Sequence, residues 1–191
     1  MSLDYQNQFY NKKIKLIVGV DEAGRGPAAG GVFAAAVYFS DKSESLLRDL
    51  SVLNDSKKLS AKKRESIYDL ILRYTINSVV CVEVEEIEKY NILNCSLKAM
   101  KLACENVYQK LSQDVKSKVL VLVDGNKLIK NFNIEQKYII KGDSKSASIA
   151  AASILAKVSR DRYMYELDKE FPMYDWKTNK GYMTKIIQIK D

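Results

Sequence analysis

The chain of 191 residues contains no histidine, which excludes Ser-His-Asp and Cys-His nucleophile systems and histidine-ligated zinc. Lys and Arg outnumber Asp and Glu by 31 to 24, a formal charge of +7 that suits a polyanionic partner, and a 47% hydrophobic fraction with 8 Gly and 2 Pro excludes a disordered or fibrous chain. Residues 1–11 are polar, without the apolar run of a signal peptide, and no stretch approaches the roughly 18 apolar residues of a membrane span, so a cytoplasmic protein with no membrane partner is expected.

Residues 14–20, apolar from Leu16 to Val20, predict a buried strand, and 32–39 predict a second. Gly24, Gly26, Gly30 and Gly31 lie between them and make a tight hairpin connection plausible. Residues 54–60 form a polar loop, at whose end Ser60 can cap a helix over 61–74 with Ile67, Leu70, Ile71 and Tyr74 on one face. The β-branched alternation of 79–84 predicts a third strand. Leu93, Leu97, Met100, Cys104, Val107 and Leu111 then recur at 4-3-4-3-4 spacing, the continuous stripe of an amphipathic helix facing a core.

Residues 119–123 are apolar throughout, as expected of a strand covered on both faces, and run into Asp124-Gly125-Asn126. A short strand over 138–140 leads to Lys141-Gly142-Asp143-Ser144. Residues 146–157 are mostly Ala and Ser, implying a helix packed closely on its neighbour, and a second helix over 160–170 should end near Pro172. Cys81, Cys95 and Cys104 form no Cys-x-x-Cys pair and read as reduced core thiols. The order is thus strands, helices, strand, helices within one α/β unit.

Acids stand at three separated strand or loop ends: Asp21 with Glu22, Asp124, and Asp143, each near glycine. Any one of them alone is most simply a cap or a solvated turn residue. Together they leave two possibilities open, a set of turn acids or a carboxylate cluster neutralised by hard divalent cations. In the second case two ions about 3.5–4 Å apart could stabilise the attacking and leaving oxygens of a phosphodiester.

Five motifs stand in order along the chain: Asp21-Glu22-Ala23-Gly24-Arg25-Gly26-Pro27; Asp55-Ser56-Lys57-Lys58-Leu59-Ser60; Asn91-Ile92-Leu93; Val123-Asp124-Gly125-Asn126; and Lys141-Gly142-Asp143-Ser144-Lys145-Ser146 with its Ala/Ser continuation to Val158, Arg160-Asp161 and Lys180-Gly181-Tyr182. In these motifs the chain resembles ribonuclease HII. The resemblance implies an α/β, ribonuclease H-like fold: a central mixed β-sheet flanked by helices, with a short C-terminal helical extension. It implies one catalytic domain over 1–191, whose part from about 160 to 191 is a truncated substrate-gripping extension.

Residue by residue, the resemblance makes Asp21, Glu22, Asp124 and Asp143 the catalytic, metal-binding carboxylates, for Mg²⁺ or Mn²⁺, two per site with substrate. Gly24, Arg25 and Gly26 would form the loop whose backbone reads a ribose 2′-hydroxyl, Tyr182 would pack on that ribose, and Lys57 and Lys58 would contact phosphates. The implied activity is endonucleolytic. It cuts the RNA strand of RNA–DNA hybrids and cuts DNA 5′ to single embedded ribonucleotides, leaving 3′-hydroxyl and 5′-phosphate ends.

A monomer is expected, with RNA–DNA hybrid and ribonucleotide-containing DNA as partners. The alternatives are a ribonuclease HIII-like hybrid nuclease, a non-catalytic hybrid binder, and a nuclease without ribose selectivity. Two departures from the family pattern stand out. Ala28-Ala29-Gly30-Gly31 replaces Leu-Ala-Gly-Pro, which should loosen the loop, and Met183-Thr184-Lys185 follows Tyr182 shortly before the chain stops, which predicts weaker and more salt-sensitive substrate binding.

Overall fold

The structure, a computed structural model, describes residues 4–40 and 60–183. The first strand, β1, runs Leu16–Ala23, three residues beyond its expected end, so Asp21 and Glu22 lie inside the strand. They stay extended because the antiparallel neighbour β2 (Val32–Tyr38) continues to pair there, Asp21 opposite Ala35 and Glu22 opposite Ala34. Before β1 a single helical turn, α1 (Asp4–Asn7), buries Gln6, whose amide donates to the Ser148 hydroxyl at 2.8 Å.

Helix α2 (Ala61–Tyr74) starts where its cap predicts, the Ser60 hydroxyl accepting from the Lys63 amide at 3.3 Å. Its buried face is Ile67, Tyr68 and Ile71, whereas Tyr74 is exposed. Tyr68 belongs to this face because its hydroxyl reaches Ser159 at 3.2 Å. Strand β3 is Ile76–Val82, shifted towards the N-terminus from the expected 79–84 by its register on β2, Tyr38 opposite Ile76. Val84 instead opens a short helix, α3 (Val84–Tyr90), with Glu85 and Glu86 favourably placed in its first turn.

The amphipathic stripe forms α4 (Ile92–Lys110), followed by β4 (Val119–Asp124) and β5 (Glu135–Ile139). The two helices expected over 146–157 and 160–170 are one, α5 (Ala147–Glu170). No glycine or proline interrupts it, Ser146 caps its start and Phe171 closes it ahead of Pro172. A 3₁₀ turn (Pro172–Tyr174) and α6 (Trp176–Asn179) complete the described chain.

The sheet is mixed, in the order β3-β2-β1-β4-β5, antiparallel through β1 and parallel from β1 to β5. Helix α4 covers one face, seating Leu97, Met100, Cys104 and Val107 against Val18, Val20, Ala36 and Val121. Helices α2 and α5 cover the other, where Ala35 and Val37 meet Ile71, Ala151, Ile154 and Leu155. The Ala/Ser composition of α5 serves this contact. At Gly19 any Cβ would run into the backbone between Ser148 and Ile149, so strand and helix touch there almost backbone to backbone. Cys95 and Cys104 are buried and Cys81 is half-buried, all as free thiols. Among the described residues no helix is long and apolar enough to cross a membrane.

Candidate active site

Because β1 and β4 are parallel neighbours with Val20 opposite Val123, Asp21 and Asp124 are the next residues on each, side by side at the sheet edge. Asp21 is 6% exposed. Burial raises its pKa well above the usual carboxylate value, the charges of Asp124 and Glu22 raise it further, and hydrogen bonds from Ser153 and the Glu22 amide pull it back. The Glu22 N–H donates to Asp21 Oδ1 at 2.7 Å, and the Gly142 N–H donates to Asp124 Oδ1 at 2.6 Å. The Arg25 guanidinium holds Glu22 Oε1 at 2.9 Å.

These three acids line a cleft of about 540 Å³. Gly24, Arg25 and Gly26 form one wall, Arg64, Lys157 and Arg160 supply positive charge, and the Tyr182 ring faces in from the C-terminal side. Gly24 has φ +111°, and a Cβ there would lie 2.6 Å from Arg160 Nε, so glycine is required twice over. At Gly26 a Cβ would sit 3.4 Å from the Tyr182 ring, so the bare backbone and the aromatic edge bound a narrow slot.

Asp143 lies in the 3₁₀ turn Gly142–Ser144 and is buried. It does not line the cleft but sits next to the Gly142 amide that holds Asp124. Lys57 and Lys58 lie outside the described residues.

Asp21, Glu22 and Asp124 offer only oxygen donors and repel one another, a set that fits a hard divalent cation such as Mg²⁺ or Mn²⁺. Among the described residues no three acidic or thiol side chains are already drawn into a closed metal cage. The fit is therefore one of donor type and shared cleft, with the carboxylates still to converge on an ion.

A sequence model of the family described as ribonuclease HII matches residues 18–189. The chain is 46% identical over 191 residues to the ribonuclease HII of Fusobacterium nucleatum, an alignment covering 99% of this chain and 86% of that protein. The chain belongs to the ribonuclease HII family. Its activity is thus that of a ribonuclease H hydrolase.

The fold agrees. The solved ribonuclease H2 of Pyrococcus horikoshii matches with a TM-score of 0.71 at 24% identity, over 90% of this chain and 82% of that one. A ribonuclease HIII solved in complex with Mn²⁺ matches with a TM-score of 0.67 at 16% identity, over 83% of this chain and 55% of that one. At these identities the two structures speak for the fold alone.

Within this ribonuclease HII cleft, Ser153, Lys157 and Arg160 carry no assigned role in the sequence motifs, although each lies inside the last of them. The available signal was helical spacing: residues 153, 157 and 160 are four and three apart, which puts them on one face of α5.

Proposed function

We propose that the cleft cuts the phosphodiester 5′ to a ribonucleotide, both in RNA–DNA hybrids and at single ribonucleotides embedded in a DNA duplex. The observation that carries this is the joint lining of one cleft by Asp21, Glu22 and Asp124 together with the Gly24–Gly26 segment and Tyr182. An acidic floor alone supports a generic nuclease. The slot beside Gly26 is what supports ribose selectivity, because bare amides can approach a 2′-hydroxyl that a side chain would hold away.

In this mechanism Arg64 and Lys157 attract the backbone phosphates. Tyr182 packs against the ribose and Gly24–Gly26 present backbone to its 2′-hydroxyl. Ser153 and the Glu22 amide hold Asp21 in one orientation, Gly142 holds Asp124, and Arg25 holds Glu22. Asp21, Glu22 and Asp124 would hold divalent cations, Mg²⁺ or Mn²⁺, with Asp143 moving in from its turn as a fourth ligand. Bound there, such cations stabilise charge on the attacking and leaving oxygens and ease deprotonation of water. Water adds to phosphorus as the bond to the upstream 3′-oxygen breaks. That oxygen takes up a proton to become a 3′-hydroxyl, and the phosphate stays on the ribonucleotide's 5′ side.

The chain would act as a monomeric single domain in the cytoplasm, where its three free thiols stay reduced. The stretch from Arg160 through α6 would grip the duplex, and Lys57 and Lys58 would add phosphate contacts.

The test is a duplex bearing one ribonucleotide, incubated with and without Mg²⁺ or Mn²⁺, with the cut mapped to the nucleotide. Cation-dependent cutting on the 5′ side supports the proposal. A hybrid cut while the single ribonucleotide is spared supports a ribonuclease HIII-like specificity. Cutting of an all-DNA duplex, or binding without cutting, sinks it.

A further inference from the structure

Among the described residues Arg160 is the largest fully buried side chain, at 1% exposure, and the hydrogen bonds of its guanidinium run to main-chain carbonyls, with Asp161 acting on it only through its charge. Its three nitrogens all donate to main-chain carbonyls: Nε to Gly31 at 3.2 Å, Nη2 to Ala29 at 2.8 Å and Nη1 to Lys180 at 2.9 Å. Two of these carbonyls close the glycine loop that follows β1, and the third immediately precedes the segment presenting Tyr182. The same two segments meet directly where the Ala28 and Ala29 amides donate to the Gly181 carbonyl at 2.9 and 3.3 Å. Gly181 must be glycine for this, since a Cβ would lie 2.5 Å from the Ala29 oxygen. The guanidinium also packs under Gly24, where it leaves no room for a side chain.

Burying the charge costs stability that the Asp161 charge offsets only in part, and replacing Arg160 by an apolar side chain would strand three carbonyls. The arrangement makes sense as a rigid fork whose planar geometry fixes two segments at one separation, which a lysine ammonium does not reproduce. Gly26 and the Tyr182 ring, which bound the slot, are carried by these same two segments.

We infer that Arg160 is a positioning residue for ribose selection: its guanidinium clasps the Gly24–Gly31 loop to the Lys180–Tyr182 segment and thereby sets the width of the sugar slot. The inference rests on the proposed ribonucleotide-directed cutting and adds the side chain that makes the slot selective. Arg160 adds charge to the cleft lining, but its Nε, Nη1 and Nη2 are all engaged by main-chain carbonyls, so its positioning role runs through Gly26 and Tyr182.

The experiment compares wild type, Arg160→Lys, Tyr182→Ala and the double variant. Cutting of a single-ribonucleotide duplex is measured first. Binding of ribonucleotide-containing and all-DNA duplexes is then compared in an Asp124→Asn background, which prevents turnover. The ratio of the two affinities on one preparation does not depend on the fraction folded, so partial unfolding of Arg160→Lys leaves the readout intact.

Arg160→Lys is expected to lower kcat/KM on the ribonucleotide duplex by about tenfold to a hundredfold, the scale of a misplaced positioning group. It should collapse the ribose-to-deoxyribose affinity ratio, leave Mn²⁺ affinity unchanged by calorimetry, and add little to Tyr182→Ala. An unchanged affinity ratio, or strict additivity with Tyr182→Ala, overturns the positioning role. Wild-type protein that leaves the ribonucleotide duplex uncut overturns the activity proposal itself, and the positioning role with it.

Discussion

Asp21 and Asp124 stand level with each other on adjacent parallel strands, one residue past the Val20–Val123 pair, and each raises the cost of charging the other. Hydrogen bonding alone does not relieve that repulsion, so a cation bound at this sheet edge, as proposed, would be coupled to folding.

Replacing Asp124 with Asn keeps its shape and its bond from Gly142 but removes one charge from the cluster. Cutting should fall by about 10²–10³ or more, the scale of a single transition-state electrostatic group, while binding of the ribonucleotide duplex persists. A gel assay for cutting and fluorescence anisotropy for binding check both halves. An Asn variant that cuts like wild type would remove Asp124 from the chemistry.

The Asp21→Asn variant should also be inactive, yet more stable. A buried carboxylate flanked by two others is destabilising when ionised, and the amide keeps the steric fit. A gain of about 1 kcal/mol would raise the melting temperature by about 2–4 °C for a protein of this size. Adding Mg²⁺ or Mn²⁺ should raise the melting temperature of wild type, by mass action, more than that of the variant. Thermal melts in chelator and in millimolar cation decide it, and equal cation shifts in the two proteins would count against a role for Asp21 in holding the ion.

Gly26→Ala fills the slot without touching the fold, because its Cβ would make only a close contact with the Tyr182 ring. Activity on the ribonucleotide duplex should drop by about tenfold or more while stability stays within about 0.5 kcal/mol of wild type. Steady-state kinetics alongside a urea melt separate the two effects.

Gly19→Ala should behave in the opposite way. Its added methyl meets main chain, which cannot swing aside, so a loss of at least about 3 kcal/mol is expected. The midpoint of urea unfolding measures this directly, and a variant as stable as wild type would mean that α5 can ride higher on the sheet at little cost.

Ser60→Ala removes the hydroxyl that accepts the Lys63 amide at the start of α2. About 1 kcal/mol should be lost, with no change in cutting rate at temperatures well below the melt. Denaturant unfolding and the single-ribonucleotide assay together test whether the cap is purely local.

How much of this could be read from the residues alone follows from where each signal resides. Strands β1 and β4 and helix α4 were legible because a continuous apolar run or a 4-3-4 stripe is a local pattern. The cap at Ser60 was legible for the same reason. The extension of β1 through Asp21 and Glu22 was not, because two charged residues remain extended only when a partner strand pairs with them. The start of β3 at Ile76 likewise depends on register with Tyr38.

The break expected between residues 157 and 160 does not occur, because nothing at Val158 or Ser159 stops a helix. At the site, the motifs brought Asp21, Glu22 and Asp124 to notice, but Arg160 could not be valued from its letter. A lone arginine in a helix is ordinarily solvated, and only its burial against three distant carbonyls sets Arg160 apart.

The close crossing at Gly19 reaches further than packing. Ser153, which bonds Asp21, lies five residues along α5 from Ser148, where helix and strand touch. The height at which the helix rides on the strand therefore calibrates the hydroxyl-to-carboxylate distance from below, in a dry interior that no substrate visits. Engineering aimed at faster turnover should leave that hidden fulcrum alone and vary the basic rim above it.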